Sequence, residues 1–172
     1  SMRVSPADSF RYAVTASSLT NRPCPMIVRL YTRLRAAKAT ALFEQFDTLL
    51  MGRRTYEGLA GQGGAGMFSG MKIVVASRTL KPADHPKVTV VGAPLAEAVT
   101  ALRKEKGKDI WLFGGGGLFR SLLERGLVDT VEVALIPALL GGGIPLLPSP
   151  APRARLTLAG HRLYEKTGTL TT

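Results

Sequence analysis

The sequence predicts an α/β domain: a mostly parallel sheet with helices on its faces, closed by an antiparallel C-terminal hairpin. Two observations predict it. Through the middle of the chain, short apolar runs bounded by glycine alternate with amphipathic helical stretches, and after that strands alone finish the chain. The 172 residues suit one domain spanning 1–172, a length at which about 70% of the unfolded surface is buried.

Taken in order, residues 10–15 read as a short strand, and Asn21, Pro23 and Pro25 then break any regular element. Residues 34–46 turn helical, with Leu34, Ala37, Ala41 and Leu42 near one face. Asp47-Thr48-Leu49-Leu50-Met51, too short for a helix and stopped by Gly52, suits a buried strand, and residues 53–59 a brief helix. A glycine-rich loop over 61–66 precedes strands at 72–77 and 88–91. Residues 94–106 form a helix with Leu95, Val99 and Leu102 on one stripe and Gly107 as its stop. Residues 109–113 give another strand and 118–125 another helix. Val131, Val133 and Leu135 alternate with Thr130, Glu132 and Ala134, a strand with two unlike faces, and residues 155–159 and 163–172 read as the closing hairpin.

Composition limits the function classes. No apolar run approaches the roughly 20 residues that span a bilayer, and Ser1-Met2-Arg3 lacks the apolar core of a signal peptide. Cys24 is the single cysteine, so neither an internal disulfide nor a cysteine-based metal site is expected, and the setting reads as cytoplasmic. The net charge of +11 favours anionic partners. The cations are dispersed, however, with Arg29, Arg33, Arg35 and Lys38 as the densest group, and no aromatic-interleaved ribbon marks a nucleic-acid site.

Ligands of open α/β sheets bind beyond the carboxyl ends of the strands, and three segments sit there. Gly52-Arg53-Arg54-Thr55 offers a turn, a helix N-terminus and two guanidinium groups for a phosphate. It equally suits a capped helix with two solvated arginines. Ser77-Arg78-Thr79 combines hydroxyls and a guanidinium suited to a monophosphate, or forms a turn with a surface arginine. Phe113-Gly114-Gly115-Gly116-Gly117-Leu118 removes every Cβ that would keep a ligand off the backbone. Each glycine costs about 0.5–1 kcal/mol against alanine, so four together need a local reason. Tight packing against a neighbouring strand is the alternative to ligand contact.

Neither G-x-G-x-x-G after the first strand nor a P-loop appears. A nucleotide cradle of another design remains, with arginine where an adenosine 2′-phosphate would be read and no ribose-binding acid. That favours NADPH over NADH.

Asp47-Thr48-Leu49-Leu50-Met51-Gly52-Arg53-Arg54-Thr55-Tyr56-Glu57, Val75-Ala76-Ser77-Arg78-Thr79-Leu80, Asp109-Ile110-Trp111-Leu112-Phe113-Gly114-Gly115-Gly116 and Leu140-Gly141-Gly142-Gly143-Ile144-Pro145-Leu146 resemble, in order and spacing, the dihydrofolate reductase superfamily. Within it the chain is most similar to proteins resembling the C-terminal reductase domain of bacterial riboflavin biosynthesis. The resemblance covers residues 42–172. It implies a dihydrofolate-reductase-like sheet of about eight strands, NADPH as hydride donor and commonly a homodimer. It also implies that Gly52 to Thr55 and Ser77 to Thr79 hold the adenosine phosphate end, and that Gly114 to Leu118 lie along the pyrophosphate and nicotinamide. The expected activity is that of a 5-amino-6-(5-phosphoribosylamino)uracil reductase. The alternatives are a dihydrofolate or pterin reductase, or an NADPH-binding module without catalysis.

The front departs from the family pattern. Ala16-Ser17-Ser18-Leu19-Thr20-Asn21 stands where a Ser-Leu-Asp-Gly-like turn is usual, with Thr20 and Asn21 replacing the acid and the glycine. Residues 22–40 match poorly where the substrate pocket would be shaped. With no acid in place, the proton is expected from water or from a hydroxyl such as Ser17 or Thr20. His85, His161, Trp111 and Cys24 have no activating neighbour at a suggestive spacing and read as structural.

Overall fold

A computed structural model describes residues 26–29, 44–61, 68–139, 142–151 and 153–172. Six parallel strands form the main sheet in the order β4-β3-β2-β5-β1-β6. They are β1 (Met26–Arg29), β2 (Phe46–Gly52), β3 (Lys72–Ala76), β4 (Thr89–Val91), β5 (Asp109–Leu112) and β6 (Thr130–Glu132). A second, antiparallel sheet holds β7 (Ala134–Leu135), β8 (Arg162–Tyr164) and β9 (Thr169–Thr171) in the order β7-β9-β8. The helices are α1 (Arg53–Gly61), α2 (Leu95–Lys104) and α3 (Gly116–Leu123), and a 3-10 turn covers Pro82–Asp84.

The apolar runs of β2, β3 and β5 are buried on both faces, as central parallel strands must be. Alternate residues point to opposite sides. Leu50, Val74, Ile110 and Leu112 meet Val99 and Leu102 of α2 and Phe119 and Leu122 of α3. Leu49, Met51, Val75 and Trp111 meet Leu59 of α1, with Phe46 and Phe68. Helices therefore cover both faces. On the α1 side the aromatic rings interlock: Trp111 lies 5.4 Å from Phe46 and 5.3 Å from Phe113, and Phe68 lies 4.9 Å from Phe113.

The structure differs from the sequence expectation in three elements. Among the described residues the central sheet has six strands and a separate antiparallel sheet three; the expected count of about eight also takes in residues outside the described ones. The helix expected over 34–46 does not reach Phe46, which opens β2 because its ring fills the space beside Trp111; residues 30–43 lie outside the described ones. The single strand expected around Val131, Val133 and Leu135 is divided: β6 pairs with β1, whereas β7 pairs with β9. Residues 155–159 form no strand. Leu156 and Leu158 alternate like one but stay more than half exposed, and the hairpin arms are β8 and β9. The strand read at 10–15 lies outside the described residues.

Among the described residues no helix is long and apolar enough to cross a membrane, and no group of three or more His, Cys, Asp or Glu side chains could hold a metal.

Candidate functional site

All six strands of the main sheet present their carboxyl ends at one edge, and ligands settle where the strand order reverses. That reversal falls between β2 and β5. β3 and β4 extend the sheet on one side of β2, and the chain then crosses back to put β5 on the other.

Two of the three segments singled out above meet at this point. Arg53 starts α1 directly from the end of β2. The Phe113 N–H donates to the Leu50 carbonyl at 2.8 Å, keeping the exit of β5 alongside β2. A Cβ on Gly114 would lie 3.8 Å from Thr55 Cγ2, and one on Gly115 3.6 Å from Thr55 Oγ1. Thr55 therefore packs against the glycine turn. Ser77-Arg78-Thr79 leaves β3 one strand away, since Gly52 and Ala76 are register partners.

The glycines of the turn have different reasons. Gly114 and Gly115 both adopt φ +94°, a conformation that other residues rarely accept. Gly116 sits where a Cβ would come within 3.0 Å of Pro148 Cδ and 3.3 Å of the Leu146 carbonyl, so its place is set by packing of the 146–148 segment. Substituents at Gly117 and Gly52 would meet nothing within 4 Å among the described residues. Gly52 has no positive φ, so its turn does not require glycine; what it leaves is open space at the carboxyl edge. α3 begins at Gly116, two residues earlier than the sequence reading placed it, and Phe119 N–H donates to Gly115 O at 2.9 Å. The first-turn N–H groups that follow Gly115 face away from any intrahelical partner, as at every helix start.

The cations divide as well. Arg53 pairs with Glu57 at 2.9 Å along α1. Arg54 and Arg78 are exposed, with no ion pair or hydrogen bond among the described residues. Ser77 Oγ accepts the N–H of Thr79 at 3.2 Å and of Leu80 at 2.9 Å, closing the turn expected there, while its own N–H donates to Val91 O. Ser77 Oγ and Thr79 Oγ1 also lie 3.5 Å apart, so one of the two hydroxyl protons lies between them and the other stays available to an anion. Open space over Gly52 and Gly117, uncapped N–H groups and two unengaged guanidinium groups fit the phosphates of a dinucleotide.

One pairing was invisible in the sequence. Tyr56 Oη lies 3.1 Å from His85 Nδ1, and the rings stack edge-on at 5.3 Å, joining α1 to the β3–β4 connection. The partners are 29 residues apart, and no local spacing reveals such a contact. Ser17 and Thr20 lie outside the described residues, as do Arg33, Arg35 and Lys38.

The RibD C-terminal domain family matches residues 29–168. The chain belongs to that family. YyaP of Bacillus subtilis strain 168, described as uncharacterized, is 31% identical over 137 residues, covering 73% of this chain and 72% of YyaP. YwjB of the same strain, also uncharacterized, is 25% identical over 122 residues, covering 71% of this chain and 70% of YwjB. A crystal structure from Shewanella sp. PV-4, of a protein assigned provisionally to riboflavin biosynthesis, superposes with a TM-score of 0.67 at 23% identity. It covers 81% of this chain and 78% of that one, and supports the same fold. The RibD C-terminal domain is a reductase domain, which places the chain among oxidoreductases that use a nicotinamide cofactor.

Proposed function

We propose that this RibD C-terminal domain protein is a cytoplasmic NADPH-dependent reductase whose substrate is a small heterocycle or carbonyl compound. The preferred substrate is 5-amino-6-(5-phosphoribosylamino)uracil, and a folate or pterin comes second. The observation that carries the reading is the meeting of Gly52 to Thr55 with Gly114 to Gly117 at the reversal between β2 and β5, with Ser77-Arg78-Thr79 one strand away.

In this reading Arg54 and Arg78 bind the adenosine 2′-phosphate, with a hydroxyl of the Ser77–Thr79 turn donating its proton to it. The amide groups at the start of α3 face the pyrophosphate, and Phe113, Gly114 and Leu118 border the nicotinamide. NADPH bound there supplies a hydride. The protein supplies position, since the cofactor carries the hard chemistry. The proton comes from water or from a hydroxyl such as Ser17 or Thr20, because no acid stands in that turn.

The protein is proposed to act as a homodimer. Its large exposed apolar side chains include Leu135, Leu139, Ile144, Leu156, Leu158 and Leu163, all within the C-terminal third. Exposed apolar side chains of this kind supply the surface an interface between two copies would cover.

The test is to titrate NADPH by nicotinamide fluorescence, then follow its oxidation with pyrimidine, pterin and folate substrates. Oxidation by the aminouracil ribosyl phosphate supports the reading, and oxidation by a pterin or folate alone supports the second substrate. Tight binding with no oxidation leaves a cofactor-binding module, and absence of NADPH binding overturns the proposal. Turnover that survives Ser17→Ala and Thr20→Val with an unchanged pH profile removes the hydroxyl donors.

A further inference from the structure

We propose that Tyr56 and His85 form a clasp that fixes the spacing between the two cationic arms of this edge, so that Tyr56 is a positioning residue for recognition of the 2′-phosphate. The inference rests on the reading of the edge as an NADPH site.

One arm is α1, which starts with Arg53 and Arg54. Tyr56 lies three residues after Arg53, on the same helix face. The other arm is the β3–β4 connection, which carries Arg78 and reaches His85 immediately after the 3-10 turn Pro82–Asp84. That connection leaves the sheet at Ser77, whose N–H is held by Val91 O at 2.9 Å. Beyond it the backbone bonds among the described residues are local: Asp84 to Lys81, His85 to Pro82 and Val88 to His85. Such bonds shape the loop without tying it to α1. The bond between Tyr56 Oη and His85 Nδ1, at 3.1 Å, does tie it.

Two exposed guanidinium-bearing arms side by side repel each other until an anion lies between them. A directed hydrogen bond holds them at a set separation before the ligand arrives, which reduces the ordering cost of binding. Ring packing alone would not demand it. The edge-on contact at 5.3 Å is compatible with phenylalanine, so the hydroxyl is the part that fixes distance and direction. The clasp should act on the 2′-phosphate and not on the rest of the dinucleotide, because NADH presents no charge between the arms.

The test compares Tyr56→Phe, His85→Ala and His85→Gln with the wild type, measuring the dissociation constants of NADPH and NADH and the thermal unfolding of the cofactor-free protein. Tyr56→Phe and His85→Ala should weaken NADPH about fivefold, as loss of one net hydrogen bond does, with NADH unchanged. His85→Gln, whose amide can accept or donate this bond, should recover most of the preference. Equal losses for both cofactors, or a preference that survives Tyr56→Phe and His85→Ala, overturn the clasp alone. Wild type that binds neither cofactor, or both equally, overturns the clasp together with the NADPH reading.

Discussion

Arg103 of α2 donates to Asp129, just ahead of β6, at 2.6 Å, and each side chain is only 6% exposed. This ion pair ties the helix that crosses the sheet to the strand at its far edge, inside the cluster formed by Val99, Leu102, Leu127 and Val128. Breaking a buried pair leaves an uncompensated charge. Asp129→Ala should therefore cost about 3–5 kcal/mol of unfolding free energy, and Arg103→Met/Asp129→Leu together less than either single change. Denaturant titration of the two singles and the double measures this.

The glycine turn makes opposite predictions for adjacent positions. Gly116→Ala drives a methyl into Pro148 and should destabilise by about 1–3 kcal/mol. Gly117→Ala, helical and in open space, should stabilise by about 0.5–1 kcal/mol. If the open space over Gly117 belongs to the pyrophosphate, the same stabilising variant should bind NADPH and NADH more weakly by equal factors. Thermal unfolding and cofactor titration on one pair of proteins read both effects.

Arg78→Ala should weaken NADPH about tenfold or more and leave NADH nearly unchanged, as expected for a charge-assisted bond to the 2′-phosphate. Arg54→Ala should act in the same direction. Arg53→Ala should act less, because its guanidinium is already engaged by Glu57. Equal losses with NADPH and NADH would take Arg78 away from the 2′-phosphate.

Leu158 and Leu163 are 67% and 58% exposed. If these side chains join two copies, Leu158→Asp with Leu163→Asp should yield monomers in analytical ultracentrifugation while the unfolding midpoint at low protein concentration changes little. A wild type that sediments as a monomer at micromolar concentration refutes the dimer.

The parts of the fold legible in sequence are those where one residue type has one reason to be present. The runs over Leu49 to Met51, Ile73 to Ala76 and Ile110 to Leu112 are strands because both faces are buried. Leu95, Val99 and Leu102 fall on one stripe because one face of α2 is. Legibility fails where two causes give one pattern. Leu156 and Leu158 alternate as a half-buried strand does, yet they lie exposed outside any sheet. The alternation from Thr130 to Leu135 continues unbroken across a change of sheet, which only the pairing partners of Glu132 and Ala134 reveal. Within the candidate site, the meeting of Gly52 to Thr55 with the glycine turn follows from strand ends that the sequence already marks with glycines, arginines and hydroxyls. The packing role of Gly116 and the Tyr56–His85 bond could not be read there, because each depends on residues about thirty positions away.

Trp111 is the only tryptophan of the chain and is 4% exposed, in edge contact with Phe113 at the threshold of the glycine turn. The protein thus carries its own optical gauge. Its indole emission should be blue-shifted in the folded state and red-shifted on unfolding, because its surroundings change from apolar to aqueous. It should also be quenched by energy transfer when a reduced nicotinamide settles beside Phe113. Occupancy and folding can then be read in one cuvette, without a label, from a ring that also holds the sheet together.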